Sequence, residues 1–163
     1  MKEIQLALAR PGDEQLIHTM KYNTFLPLYN RYHDDETSPV KEPIDKVIAQ
    51  LKSDNTDYYI IMFGSEPVGA IRIANDGVEN GEQIYRVAPM FVLPEYQNLG
   101  IGYRTLNMIF EKYKDVADIW HLSTIKQEER NCHLYEKCGF KRVGDEKKIN
   151  DKMAIVYYTK WKE

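Results

Sequence analysis

Several residue types are scarce in this sequence, and their scarcity argues against some kinds of site. Only two cysteines occur, Cys132 and Cys138, and their spacing within a helical pattern matches no metal-binding or redox motif. The four histidines show no metal-ligand spacing either. We therefore expect two reduced thiols and no metal site.

The sequence also lacks a long apolar run and an excess of positive charge. No stretch approaches the ~20 apolar residues that span a bilayer, and the Met1 end shows no signal-peptide pattern. The formal net charge of -3 at pH 7 gives no general attraction to nucleic acid or anionic membranes. We therefore expect a cytoplasmic protein that binds neither nucleic acid nor a membrane.

What is present is the composition of a folded domain. The chain has 163 residues, of which 43% are hydrophobic and 29% are charged, as in ordinary globular proteins. No internal repeat, low-complexity segment or linker interrupts it. We expect a single domain over residues 1–163.

The first half of the chain alternates helix and strand patterns. Apolar residues at every second position from Ile4 to Leu8 predict a strand, and Asp13 is placed to cap a helix. A second helix is expected after Pro43, with an irregular aromatic and acidic segment between the two. The runs "DYYIIMF" and "PVGAIRIA" predict a hairpin, and the polar stretch "NDGVENGEQ" predicts a loop.

A strand-like run, "IYRVAPMFVL", contains a proline. Pro89 cannot donate a hydrogen bond to a neighbouring strand, so we expect this strand to bulge or splay there. A gap in the sheet is a natural slot for a ligand. Beyond it we expect a helix after Gly100, a strand "DIWHLSTI", a helix ending at Gly139 and two final strands.

Two glycines stand where this strand gives way to a helix, in the stretch from Gln97 to Gly102. A helix N-terminus presents unpaired N–H groups that attract phosphate, and glycine lets the backbone approach closely. The stretch lacks the GK[ST] ending of a nucleotide-hydrolysing loop and the third glycine of a dinucleotide fingerprint. Alone, it fits either a pyrophosphate site or a tight turn without a ligand.

A second segment, "LYEKCGF", follows about thirty residues later, and the two together resemble the GNAT superfamily of acyl-CoA-dependent N-acetyltransferases. The phosphate loop of that family, [Q/R]-x-x-G-x-[G/A], matches Gln97 to Gly102, and the element order agrees across nearly the whole chain. The resemblance implies an α+β fold. Its mixed, mostly antiparallel twisted sheet has about seven strands, is flanked by about four helices and is splayed at the fourth strand.

The resemblance also implies that acetyl-CoA is the cosubstrate, with its pyrophosphate on the glycine loop and its pantetheine arm beside the bulged strand. Backbone N–H groups near Phe91 and Val92 would polarise the thioester carbonyl. Many family members carry Asn where this chain has Glu128, and Asn131 is the residue here that offers a related contact. The implied coenzyme-binding residues are Phe91, Val92, Gln97, Asn98, Leu99, Gly100, Ile101, Gly102, Tyr103 and Asn131.

For catalysis, the resemblance gives Tyr135 the role of proton donor to the departing thiolate. A phenol suits that role, because with a pKa of ~10 it stays protonated at neutral pH. The alternative is a core aromatic at a helical position. The base that deprotonates the amine stays open among Glu82, Glu95, His121, His33, Asp34 and Glu36.

The segment from Tyr22 to Pro39 occupies the region where related enzymes form the acceptor wall. Tyr29, Tyr32, Asp34 and Glu36 are candidates to attract a cationic amine and cover its apolar stem, and the acidic run predicts an amino-bearing or polycationic acceptor. The alternative is a solvated loop with some aromatics tucked into the core.

These patterns lead to two hypotheses of different classes. The first is an N-acetyltransferase that transfers an acetyl group from acetyl-CoA to a primary amine of a small molecule, peptide or protein. The second is a non-catalytic acyl-CoA-binding or interaction module with the same fold. Homodimers are common among similar proteins, so a homodimer is one candidate assembly.

Overall fold

Seven strands and four helices make up the part of the chain, residues 2–162, that the computed structural model describes. Two short 3₁₀ turns, Pro39–Lys41 and Pro94–Tyr96, complete the regular structure. In chain order the elements are β1 (Ile4–Leu8), α1 (Glu14–Tyr32), α2 (Ile44–Lys52), β2 (Thr56–Phe63), β3 (Glu66–Glu79), β4 (Glu82–Val92), α3 (Ile101–Lys112), β5 (Ile119–Ile125), α4 (Glu129–Lys137), β6 (Lys141–Lys148) and β7 (Ala154–Trp161).

The strands form one sheet in the order β1-β2-β3-β4-β5-β7-β6. Every neighbouring pair is antiparallel except β4 and β5, which run parallel. A parallel pair needs a crossover connection, and here α3 supplies it. The fold predicted from the resemblance, a mixed and mostly antiparallel sheet with four helices, is confirmed.

Helices cover both faces of the sheet and bury two apolar cores. On one face, α3 and α4 contribute Ile101, Leu106 and Tyr135 to a core with β-strand residues. On the other face, α1 and α2 contribute Ile17 and Val47 to a second core. A ligand that enters between two strands can contact both faces of the sheet. The helices on each face would therefore form the walls around such a ligand.

The first helix is much longer than the sequence pattern predicted. The segment expected to be irregular is helical as far as Tyr32, with Pro27 inside the helix. Apolar and buried positions recur at helical spacing through Ile17, Met20 and Thr24, and the Thr24 hydroxyl donates to the Met20 carbonyl at 2.8 Å. The apolar face packed against the sheet therefore outweighs the helix-breaking tendency of proline.

The stretch expected to be a loop after β3 is instead a hairpin. β3 continues to Glu79, and Asn80 and Gly81 alone make the turn, with φ angles of 52° and 80°. Two successive positive φ values match the right-handed twist of the paired strands, and Asn-Gly is the sequence that adopts them most readily. Residues 76–79 are exposed, so no apolar alternation marked them as a strand.

Candidate active site

A gap opens between β4 and β5, as the proline in β4 predicted. The two strands pair only at Ile84↔Ile119, Tyr85↔Trp120 and Arg86↔His121. Beyond this point β4 continues to Val92 and β5 continues to Ile125, but the two strands no longer pair with each other. A cavity of about 330 Å³ occupies the gap.

The cavity joins the two faces of the sheet. On one face it is lined by Asn131 and Tyr135 of α4. On the other face it is lined by Lys21 and Phe25 of α1, by residues of α2 and by Asp34 in the segment that connects these helices. Two ligands that enter from opposite faces of the sheet would therefore meet inside the gap.

The glycine loop lies next to this gap, at the start of α3. Gly100 precedes the helix with φ 79°, and Asn98 also has a positive φ of 65°. Among the residues that the structure describes, none of the backbone N–H groups from 98 to 103 donates to a backbone carbonyl. Consecutive unpaired N–H groups at a helix N-terminus form a cradle for phosphate oxygens.

Two side-chain hydrogen bonds hold the loop in place. Gln97 Nε2 donates to the Val92 carbonyl at 2.8 Å, which ties the loop to the end of β4. Arg130 Nη1 donates to Asn98 Oδ1 at 3.0 Å, which ties it to α4. These two predicted coenzyme-binding residues therefore also shape the loop.

The remaining predicted loop residues fall into two groups. Ile101 is buried in the core, and a Cβ at Gly102 would lie 3.1 Å from Leu134 Cδ2, so these positions pack the helix against its neighbours. The side chains of Leu99 and Tyr103 are exposed, and Lys137 Nζ lies 4.4 Å from the Tyr103 ring centroid. The side chains of Leu99 and Tyr103 are thus available to a ligand at the surface.

The free edge of β4 carries backbone donors toward the gap. Leu93 N–H donates to the Val68 carbonyl on β3 at 2.7 Å, and successive N–H groups of a strand point to opposite sides. The N–H of Val92 therefore points toward the gap, whereas that of Phe91 points toward β3. The donor role of Phe91 stays a prediction that this direction does not favour, and the Phe91 ring is buried and packs against Phe25 with centroids 6.0 Å apart.

Tyr135 lines the cavity from α4. Its ring packs against Phe140 and Tyr158, with centroid separations of 6.0 and 6.2 Å. Burial raises the pKa of its hydroxyl above the ordinary value, and Cys132 and Cys138 add to the shift. The hydroxyl is therefore protonated at neutral pH, as a proton donor must be.

Glu128, the residue that departs from the family pattern, has protein partners. Its Oε2 accepts hydrogen bonds from Arg31 Nη1, at 2.8 Å, and from the Tyr32 hydroxyl. Residues of α1 and the start of α4 are joined through this carboxylate. The neighbouring prediction, Asn131, lies on the cavity.

Only one of the four residues predicted for the acceptor wall lines the cavity. Asp34 is buried there, and its Oδ2 accepts from the Thr37 hydroxyl at 2.9 Å. The Tyr29 hydroxyl donates to Asp35, the Tyr32 hydroxyl is bound to Glu128, and Glu36 is exposed. Among the six candidates for the base, Asp34 is likewise the one on the cavity; the others are Glu82, Glu95, His121, His33 and Glu36.

The acceptor end of the cavity also contains polar residues that sequence reasoning missed. They are Lys21, Glu42, Lys46, Gln50, Arg72 and Arg86. Arg72 carried a local signal, because it is the one charged residue in the apolar run "VGAIRIA" of a central strand. The others lie on α1, α2 and neighbouring segments, and only the packing of those helices on the sheet brings them together.

Two further findings concern metals and membranes. Within residues 2–162, no three His, Cys, Asp or Glu side chains come together in a way that could hold a metal ion. The helices of this part of the chain are each too short or too polar to cross a bilayer.

Comparison with known families identifies the family of this chain. A profile of the Acetyltransferase (GNAT) family matches residues 22–140, well over half of the chain. The chain belongs to this family. It is therefore a GNAT acetyltransferase, as the glycine loop and the "LYEKCGF" segment predicted. A search of curated proteins found no significant match.

Solved structures show the same fold. An acetyltransferase from Thermus thermophilus superposes with a TM-score of 0.73 at 17% identity, over 99% of both chains. A spermidine N-acetyltransferase from Vibrio cholerae, solved with CoA and spermine, gives 0.75 at 16% identity over 98% of this chain and 95% of that one. A microcin C7 self-immunity acetyltransferase, solved with acetyl-CoA and AMP, gives 0.72 at 12% identity over 98% and 92%.

Proposed function

We propose that this GNAT acetyltransferase transfers an acetyl group from acetyl-CoA to a primary amine, and that transfer takes place in the gap between β4 and β5. The observation that carries the proposal is the position of Tyr135, a protonated phenol on a cavity that is also lined by Met90, whose Cε lies 3.6 Å from a Cβ placed at Gly102 of the glycine loop. Solved relatives bound to CoA and spermine, or to acetyl-CoA and AMP, support an acyl-CoA together with a second ligand that differs between relatives.

The glycine loop fits the pyrophosphate of the coenzyme. Its unpaired N–H groups from residue 98 to 103 suit phosphate oxygens, and the positive end of the α3 dipole favours negative charge. Acetyl-CoA, when bound, supplies an acetyl group activated as a thioester. Asn131 lies on the same side of the cavity and is positioned to contact the coenzyme arm.

Three groups of this chain then divide the chemistry. The N–H of Val92 faces the gap and stabilises negative charge on the acetyl oxygen. Asp34 accepts a proton from the amine, whose nitrogen then bonds to the acetyl carbon as the carbon–sulfur bond breaks. Tyr135 donates its proton to the departing sulfur, and the acylated nitrogen loses its second proton, which restores the phenol, so the products are an N-acetylamine and a free thiol.

Asp34 is a better candidate for the base than the other carboxylate at this end of the cavity. Glu42 accepts from Lys21 at 3.1 Å and from Lys46 at 2.9 Å. Although burial opposes its ionisation, these two lysines hold the pKa of Glu42 below its ordinary value, which makes it a weak base. Asp34 forms no ion pair with the described residues.

The alternative, a coenzyme-binding module without turnover, makes a different prediction about thiol release. Purified protein is incubated with acetyl-CoA and a panel of primary amines, free thiol is measured, and products are identified by mass spectrometry. We expect thiol release that depends on the amine and matches acetylated product in amount. Coenzyme binding without amine-dependent thiol release, over a panel that includes amino acids, polyamines and peptides, would favour the module.

A further inference from the structure

A cluster of unsatisfied polar groups lies at the acceptor end of the cavity. Four buried side-chain atoms among the described residues have no hydrogen-bond partner, and three belong to Gln50, Tyr58 and Arg72. Tyr58 and Arg72 face each other across β2 and β3, while Gln50 and Arg72 both line the cavity. Buried polar atoms without partners are rare, and the two that belong to cavity-lining residues, Gln50 Oε1 and Arg72 Nε, suggest that a ligand completes them.

Arg72 differs from the other cations around it. The carboxylates nearby already have partners, since Glu42 binds Lys21 and Lys46 and Asp76 accepts from Arg86 Nε at 3.0 Å. Within residues 2–162, Arg72 forms no ion pair. Burial lowers the pKa of its guanidinium, and the positive charge of Arg86 adds to this effect. A negative charge placed beside Arg72 would offset that cost.

The geometry of the guanidinium indicates which group fits. Arg72 Nη1 donates to the Thr56 hydroxyl at 3.2 Å, whereas Nε is buried without an acceptor. The Nε–H and one N–H of Nη2 lie parallel on one edge of a guanidinium, and two such donors match both oxygens of a carboxylate or of a phosphate.

Arg72 also lies close to the proposed site of transfer. It falls at the bulge in the β3–β4 pairing, between the pairs Ile71↔Met90 and Ile73↔Val87. Ala88 and Pro89, the residues of β4 opposite this bulge, line the cavity. Neighbouring strands are about 4.8 Å apart, so a small acceptor can contact Arg72 and still place its amine in the gap.

We propose that Arg72 binds an anionic group of the acceptor, so that the preferred substrate is a primary amine that also carries a carboxylate or a phosphate. This inference rests on the proposed acetyl transfer and names its substrate class. It differs from the polycationic acceptor that the acidic run predicted, since Asp35 and Glu36 do not line the cavity.

Matched pairs of amines test the proposal. Lysine and cadaverine, or tyrosine and tyramine, differ only by a carboxylate, and phosphoethanolamine and ethanolamine differ only by a phosphate. With wild-type protein we expect kcat/KM to be at least about tenfold higher for the anionic member of at least one pair, because hydrogen bonds to charged groups are strong. The carboxylate and phosphate arms then show which anion the subsite prefers.

Variants of Arg72 assign the preference to this side chain. Arg72→Gln should lower kcat/KM for the member of the pair with the carboxylate or phosphate roughly 10- to 100-fold, leave kcat/KM for the member without it nearly unchanged and leave CoA affinity unchanged. Arg72→Lys keeps the charge but not the paired donors, so it should restore activity in part. Arg10→Gln, an equal charge change at an exposed position off the cavity, is the control.

The outcomes separate this inference from the proposed function. Thiol release with equal or better activity on cadaverine, tyramine, ethanolamine or spermidine would overturn the anionic subsite and leave acetyl transfer intact. If no amine is acetylated, lysine and phosphoethanolamine are titrated into CoA-saturated protein by calorimetry. Binding that Arg72→Gln abolishes supports the subsite, and no binding, or binding unchanged by Arg72→Gln, overturns it.

Discussion

At the scale of single residues, three acidic side chains follow one another and the fold places them differently. Asp34 is buried on the cavity, Asp35 is exposed and accepts from the Tyr29 hydroxyl, and Glu36 is exposed. A base must reach the amine within hydrogen-bonding distance. Position in the fold, and not residue type, therefore selects Asp34 from this run.

Replacing Asp34 tests this selection. Asp34→Asn should lower kcat roughly 100-fold near neutral pH, because the amine loses its base. The loss should shrink as pH rises toward the amine pKa of ~10.4, where the substrate arrives already deprotonated. Activity is measured by thiol release from pH 7 to 10. Asp35→Asn, which removes the adjacent charge off the cavity, is the control; an equal effect of both variants, or a loss that does not vary with pH, would contradict the assignment.

At the scale of elements, the strand–loop–helix unit from β4 to α3 holds the proposed coenzyme site. Gly100 and Gly81 offer a matched pair of probes, because both have φ near 80° and a Cβ at either would meet nothing within 4 Å. Gly102 is a poorer probe, since a Cβ there would lie 3.1 Å from Leu134 Cδ2 and would disturb packing.

Gly100→Val and Gly81→Val should each destabilise the fold by about 1–2 kcal/mol, because a side chain is strained at positive φ. Only Gly100→Val should weaken CoA binding, on the order of tenfold or more, since the strained loop no longer holds its N–H groups around the pyrophosphate. Calorimetry with CoA on folded protein measures the difference. An unchanged CoA affinity in Gly100→Val would contradict the proposal that the coenzyme binds at this loop.

Local patterns predicted most of the elements, because each depends on a signal a few residues long. The glycine loop, the proline in β4 and the period of apolar residues in α2 and α3 are of this kind. The length of α1 was missed because Pro27 is a local breaker whose effect the packing on the sheet overrides. The long hairpin was missed because its exposed residues have no apolar alternation, although Asn80-Gly81 marked its turn.

The candidate site divides along the same line. Its proposed coenzyme side is built on one continuous stretch of chain, so the sequence from Gln97 to Gly102 was enough to suggest it. Its acceptor side draws on α1, α2, β3 and β4, so its membership follows from tertiary packing. Tyr29 and Tyr32 were adjacent in sequence to Asp34, yet the helix that contains them directs their hydroxyls to Asp35 and Glu128.

At the scale of the whole molecule, burial of tyrosines couples stability to alkaline pH. Burial raises the pKa of Tyr58, Tyr113, Tyr135 and Tyr158 in the folded protein, whereas the unfolded chain keeps the ordinary value of ~10. Above that pH the unfolded state binds fewer protons than the folded state, so unfolding becomes more favourable. The stabilising contribution is complete below pH ~10 and is lost as pH rises above it.

We therefore expect the free energy of unfolding to fall steeply between pH 10 and 11, by up to about 1.4 kcal/mol per pH unit for each such tyrosine. Urea unfolding measured from pH 8 to 11 checks this. Tyr58→Phe removes a buried hydroxyl that has no partner and should reduce the slope, while Tyr157→Phe, at a more exposed position, should not. A stability that is flat to pH 11 would contradict the burial of these hydroxyls.

The assembly and location of the molecule stay predictions. A homodimer and a cytoplasmic location were inferred from the sequence and its resemblance, and an absence of nucleic-acid binding from its net charge of -3. Sedimentation of the purified protein, with and without CoA, measures its oligomeric state directly.

The most direct test of acetyl transfer in the β4–β5 gap is amine-dependent thiol release by Tyr135→Phe. The substitution keeps the ring that packs against Phe140 and Tyr158 and removes only the hydroxyl. We predict that kcat falls roughly 10²- to 10⁴-fold with little change in CoA affinity, while Tyr157→Phe retains wild-type turnover. Near-normal turnover by folded Tyr135→Phe would contradict the account, because the cavity would then contain no proton donor at the position proposed for it.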